Sequence, residues 1–183
     1  AAGEELPFTQ DDLAVDGHAI EVRLYAEDPA RGFLPQIGTV TRFDVPDMPF
    51  TRVDAGIRTG DMVTPNYDPM IAKLIAWGED RDDACRRLSE MLAGTRLKGL
   101  NGNLDFLRRV IDHPAFRAAD LDTRFIENHE DALLHGPEPS ARALADAALS
   151  LVAHVREERA DTNPFAADGW LCNLPRHAVF VFE

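Results

Sequence analysis

Gly17-His-Ala-Ile-Glu-Val-Arg-Leu-Tyr-Ala-Glu-Asp-Pro-Ala-Arg-Gly-Phe-Leu-Pro35 opens with strict alternation and ends in a turn-rich loop. Over 19–25, Ile20, Val22 and Leu24 fall on one face and Glu21, Arg23 and Tyr25 on the other, the period of a half-buried strand. A lone arginine therefore stands on the polar face of this probable strand. Working outward, 38–43 and 51–54 are two further β-leaning runs, separated by the breakers Pro46 and Pro49. Together they predict a small antiparallel sheet. Asn66-Tyr-Asp-Pro-Met-Ile-Ala-Lys-Leu-Ile-Ala-Trp-Gly78 adds a run that reads as buried.

Helices should cover that sheet. Asp80 is placed to cap one, with Asp83 at N3 and Ala84, Leu88, Met91 and Leu92 at helical spacing. Asn103 is placed to cap a second, whose stripe is Leu104, Leu107 and Val110 or Ile111 and whose end is His113-Pro114. A third is predicted over 140–156, with Leu144, Ala148, Leu151, Val152 and Val155 on one face. Leu134-His-Gly-Pro137, just before it, marks the expected domain boundary.

Composition narrows the function classes. With 183 residues and 45% apolar content the chain can bury a real core. Thirty-two acidic against 19 basic residues give a net charge of −13, a field that repels phosphate backbones and argues against a nucleic-acid partner. Cys85 and Cys172 have neither disulfide-framework nor zinc spacing, which predicts a reducing compartment. No run reaches the roughly 18 apolar residues that span a bilayer, so a membrane is not expected, and 1–5 does not read as a signal peptide. The start without methionine and the β-rich end at 178–183 read as the cut ends of a fragment. His18, His113, His129, His135, His154 and His177 show no ligand spacing, so no metal is expected here. Trp77 and Trp170 read as core or rim aromatics. No nucleophile elbow, catalytic carboxylate pair or phosphate-cradling loop is present, so the fragment alone is expected to be inactive.

The stretches Gly17 to Pro35 and Asn66 to Gly78, in this order and spacing, resemble the C-terminal domain of biotin carboxylases. The likeness runs over 17–134, through Arg52-Val-Asp54, Tyr67-Asp-Pro69, His113-Pro-Ala-Phe116 and Thr123-Arg-Phe-Ile-Glu127. Gly56-Ile-Arg-Thr-Gly-Asp61 and Asp122-Thr-Arg-Phe-Ile-Glu127 look most like the biotin-containing (alpha) subunit of acyl-CoA carboxylases, the 3-methylcrotonyl-CoA type first, with propionyl- and geranyl-CoA types as alternatives. The resemblance implies an α+β fold, a small antiparallel sheet covered by helices, followed by a long helix and the start of an incomplete β-barrel. It divides the chain into a 1–16 linker from an ATP-grasp core upstream, the 17–134 domain, and at 135–183 the beginning of a domain that joins the carboxyltransferase subunit, with Asp168-Gly-Trp-Leu-Cys-Asn-Leu174 inside it.

The implied activity is ATP-dependent carboxylation of carrier-bound biotin with bicarbonate, before carboxyl transfer to an acyl-CoA. Biotin, ATP and Mg2+ would serve the full subunit, with none bound by this fragment. Partners would be the carboxyltransferase (beta) subunit and the biotin carrier domain, in the cytoplasm or, in a eukaryote, the mitochondrial matrix. By resemblance Arg23 contacts the biotin ureido oxygen, where carboxylation builds negative charge that a planar, permanently charged guanidinium stabilises. From pattern alone, Arg23 reads instead as half of an exposed pair with Glu21. Asp68 falls beside the biotin pocket but reads from its own context as a turn residue, and Thr123 falls near the adenine. Phe50 and Arg52 fall at the family's homodimer contact. At Gly99-Leu-Asn-Gly-Asn103 the chain departs from the pattern, because relatives carry Lys and Thr at 101 and 102. The competing reading is a non-catalytic assembly module.

Overall fold

The computed structural model describes residues 3–136 and 139–160, with side chains placed up to 153. The expected terminal strand, Trp170, Cys172 and the barrel lie outside these residues. In chain order come strands β1 (His18–Tyr25), β2 (Glu27–Asp28), β3 (Leu34–Pro35), β4 (Gly38–Thr39), β5 (Arg42–Asp44), β6 (Thr51–Ala55), β7 (Met62–Val63) and β8 (Met70–Gly78). Helix α1 (Arg81–Gly94), strand β9 (Arg96–Lys98) and helices α2 (Leu104–Asp112), α3 (Pro114–Arg117), α4 (Phe125–Asn128), α5 (Glu130–Leu134) and α6 (Ala141–Ala160) follow. The chain parts into two compact units after Gly136.

The first unit is built on a sheet of order β1-β8-β6, both pairings antiparallel. β8 takes the middle because its residues 71–76 offer apolar side chains to both faces, whereas β1 and β6 alternate apolar with charged residues and suit the edges. The buried face carries Ile20, Val22, Leu24, Leu74 and Ala76, and joins Ala84, Cys85, Leu88, Met91 and Leu92 of α1 in one core. This is the mixed α and β architecture expected, with one difference. The 38–43 run does not join the sheet: it splits into β4, paired with β7, and β5, paired with β9. Two- and three-residue ribbons of this kind are held by their loops, and no period is long enough to announce them.

Two local devices set β1 and α1. Gly17 sits at φ +68°, and a Cβ there would fall 2.5 Å from the Gly78 carbonyl and the Trp77 ring, so only glycine lets β1 start against the end of β8. At the other end of that junction the Asp80 carboxylate accepts from the Asp83 amide at 2.8 Å, the N-cap expected from the spacing. In the second unit α6 spans more than the 140–156 expected, with the Ser140 hydroxyl accepting from the Ala143 amide at 3.2 Å. Leu144, Ala148 and Val152 are half-buried on it, while Leu151, expected on the same face, is exposed.

Candidate functional site

The face of the sheet turned away from α1 carries the sheet's charged side chains beside Ile75 and Trp77, and strand register orders it into rows. Glu21 lies opposite Ile75, which lies opposite Arg52, and Arg23 lies opposite Lys73, which lies opposite Asp54. Arg23 therefore stands on an open face, its side chain 58% exposed, beside Glu21 at 3.5 Å between Nε and Oε1. Tyr25 first and Glu21 second raise its pKa above the ordinary arginine value, so the group is cationic at every working pH. An exposed pair this long holds the guanidinium only loosely. The arginine can reorient toward an incoming anion without breaking a buried network.

The backbone under Arg23 is held far more firmly than its side chain. The free edge of β1 is closed by Asn103: its Oδ1 accepts from the Tyr25 amide at 2.9 Å, and its Nδ2 donates to the Arg23 carbonyl at 3.2 Å. The Asn103 amide in turn donates to the Tyr25 carbonyl at 3.2 Å. Asn103 is the N-cap residue of α2 as expected, but its side chain makes no cap bond, contrary to the sequence reading. The carboxamide is spent on β1 because, among the described residues, no other strand lies beside this edge at buried Leu24 and half-buried Tyr25.

Asp68 lies past the bulged end of β1, where the Ala26 amide donates to the Pro69 carbonyl at 2.9 Å. Its Oδ1 accepts from the Met70 amide at 2.8 Å, the turn role that its context suggested. Asp68 also lines a cavity of about 240 Å³ with Gly56, Ile57, Thr64 and Tyr67. Thr123 lines a different cavity, about 290 Å³, among Phe106, Val110, Phe116, Phe125 and Ile126. Arg23 lines neither, so the structure does not gather these three residues into one pocket.

Phe50 and Arg52 sit at the far edge of the same sheet. Phe50 is 60% exposed with φ +61°, its ring 5.5 Å from Trp77 and 4.5 Å beneath the Arg87 guanidinium. Arg52 is held to Asp54 at 2.9 Å, which raises its pKa.

The Glu27 carboxyl, half-buried on β2, is pushed up, by burial first and by the charge of Asp68 second. A raised carboxyl pKa means that the folded state keeps its proton longer than the unfolded one, so its share of stability is present in acid and lost as pH rises through the raised pKa. Glu27→Gln is accordingly expected to raise the thermal midpoint at neutral pH and to leave it unchanged in acid below the ordinary glutamate range. Thermal melts across pH check this, and a gap that widens toward acid would refute it.

Among the described residues no group of three or more His, Cys, Asp or Glu is placed to hold a metal, and no helix is long and apolar enough to cross a membrane. His18 Nε2 lies 3.1 Å from Arg81 Nη1, and the His113 and His129 rings lie 4.2 Å apart, tilted by 45°. Cys85 is buried, and burial pushes its thiol pKa up. Asn101 and Gly102, where the family pattern is broken, line a cavity of about 340 Å³ with Asp28, Asp105 and Arg109.

Residues 21–128 match the biotin carboxylase C-terminal domain family. The chain is 40% identical over 159 residues to the mouse (Mus musculus) methylcrotonoyl-CoA carboxylase subunit alpha, mitochondrial, a match covering 86% of this chain and 22% of that one. It is 44% identical over 129 residues to a biotin carboxylase of Halalkalibacterium halodurans, covering 70% of this chain and 28% of that protein. Among solved structures it resembles the biotin carboxylase domain dimer of Hydrogenobacter thermophilus 2-oxoglutarate carboxylase, solved with MgADP, ADP and bicarbonate. That match has a TM-score of 0.71 and 34% identity, over 74% of this chain and 30% of the other. The chain thus spans about a quarter of the length of the curated relatives it matches.

Proposed function

Because this chain belongs to the biotin carboxylase C-terminal domain family, we propose that it forms the C-terminal lobe of the biotin carboxylase subunit of an acyl-CoA carboxylase. The subunit carboxylates carrier-bound biotin with ATP and bicarbonate, and a carboxyltransferase partner then passes the carboxyl group to 3-methylcrotonyl-CoA. In this reading residues 17–134 are the lobe, 1–16 lead into it from an ATP-grasp core, and 135–183 begin the domain that docks the carboxyltransferase subunit. The compartment is the cytoplasm in a bacterium and the mitochondrial matrix in a eukaryote.

The observation that carries the proposal is the open guanidinium of Arg23 on a strand whose backbone is clamped. Bound biotin supplies a ureido nitrogen that takes up the carboxyl. Arg23 meets the ureido oxygen as charge collects there, and its fixed planar fork is worth more to the transition state than to the neutral ring. Asp68 shapes the entry beside β1, Thr123 lies toward the adenine, and Phe50 with Arg52 presents a self-contact. In this reading the Mg2+ and most of the nucleotide contacts belong to the core, and Thr123 is this lobe's contribution near the adenine.

The pairing of Arg23 with Glu21 favours the second reading, an assembly module in which the arginine is structural. Assay of the full-length holoenzyme with a panel of acyl-CoA thioesters tests the first. Turnover is expected to be highest with 3-methylcrotonyl-CoA, higher turnover with propionyl-CoA would reassign the substrate, and no biotin-dependent turnover with any thioester would leave the assembly reading.

A further inference from the structure

We infer that Asn103 is a positioning residue for Arg23, a role that rests on the proposed contact between Arg23 and biotin. Arg23 needs its Cα fixed while its side chain stays free, and the structure separates these two requirements between different groups. Among the described residues no strand lies on the free side of β1 at this point, and three backbone groups there, the Arg23 carbonyl and the Tyr25 amide and carbonyl, would otherwise lack these partners. Asn103 satisfies all three, and it is itself 5% exposed. Its carboxamide is suited to the task because it offers an acceptor to one peptide group and a donor to the next, the pattern a strand would present.

The strand needs this clamp at this position. The pairing of β1 with β8 slips between Leu24 and Tyr25, so the regular ladder stops one residue beyond Arg23. Beyond the slip, β1 is tied through Ala26 to Pro69 and through Asn103 to the start of α2. The Asn103 carbonyl accepts from the Leu107 amide at 2.9 Å, which makes the clamp continuous with the first turn of α2. Gly102 lets the chain come this close: a Cβ there would lie 3.1 Å from the Tyr25 carbonyl and 2.6 Å from Leu97 Cδ2. The backbone of Arg23 is thus held at its carbonyl by a residue 80 positions away.

A double-mutant cycle in the full-length subunit, with free biotin as substrate, tests this. Asn103→Ala is expected to lower biotin-dependent turnover by roughly ten- to a hundredfold, as a displacement near 1 Å at the reacting centre does, with the KM for ATP unchanged. In an Arg23→Met background the same change should cost nothing further, because the group it positions is gone. Equal fold losses in both backgrounds would assign Asn103 to general stability and overturn the proposal. Full turnover in Arg23→Met alone would overturn the biotin contact, and the positioning role with it. The isosteric Asn103→Asp keeps the acceptor but puts a carboxylate against the Arg23 carbonyl, so it serves where Asn103→Ala folds poorly. Its deficit relative to the parent should shrink as pH falls and the carboxyl becomes a donor, and a deficit that does not change with pH would count against the hydrogen-bond role.

Discussion

Arg23→Met in the full-length subunit is expected to reduce carboxylation of free biotin by about 10²–10³-fold, the loss that follows removal of one preorganised donor from a developing oxyanion. The KM for ATP should not move, because the guanidinium stands on the outer face of β1 and the substitution changes no buried contact of the lobe. Methionine keeps the length of the stem and removes the charge, which isolates the electrostatic contribution from packing. Arg23→Lys is expected to recover little, since an ammonium presents a hydrated point charge where the fork presents two aligned N–H groups. Release of ADP per biotin carboxylated, measured against the parent, reads the effect. Turnover equal to the parent would remove Arg23 from the chemistry and leave it half of a surface pair with Glu21.

Leu74→Ala should be the most damaging truncation in the sheet, lowering unfolding free energy by about 3 kcal/mol. Leu74 is fully buried on the central strand, in register with buried Val22 and in one core with Leu88, Met91 and Leu92 of α1, so the truncation leaves a cavity inside that core. Its neighbour Ile75 points to the opposite face and is half-buried, and Ile75→Ala is expected to cost less than half as much. Urea denaturation of both variants provides the comparison. Equal losses would mean that the two faces of β8 are equally packed, and the division into a core face and a site face would fail.

The legible parts of the fold were those with a long enough period. The alternation of β1 placed Arg23 on the solvent side before any coordinates, and Asp80 with Asp83 announced the start of α1. β8 was visible only as a buried run, because a strand covered on one face and half-covered on the other loses its alternation. The fate of 38–43 was hidden, since ribbons of two or three residues carry no period at all. Asn103 shows a different limit. Its position before a helical stripe pointed correctly to an N-cap, yet the partners that claim its carboxamide lie 78 and 80 residues away, and no local pattern encodes a contact at that separation. The departure from the family pattern at 101 and 102 lies beside the residue that does the clamping. The left-handed backbone of Phe50 left no trace in composition, nor did the ring's place under Arg87.

The central place of Met70–Gly78 also sets a schedule for the nascent polypeptide. Both of its flanking partners, His18–Tyr25 and Thr51–Ala55, are synthesised earlier and must wait, hydrogen-bonding edges unfilled, until it emerges. Assembly is then a late closure between distant segments, slow by contact order and exposed to misassociation in the interval. Truncation anywhere before residue 78 should consequently yield not a smaller folded domain but a chain dependent on chaperones.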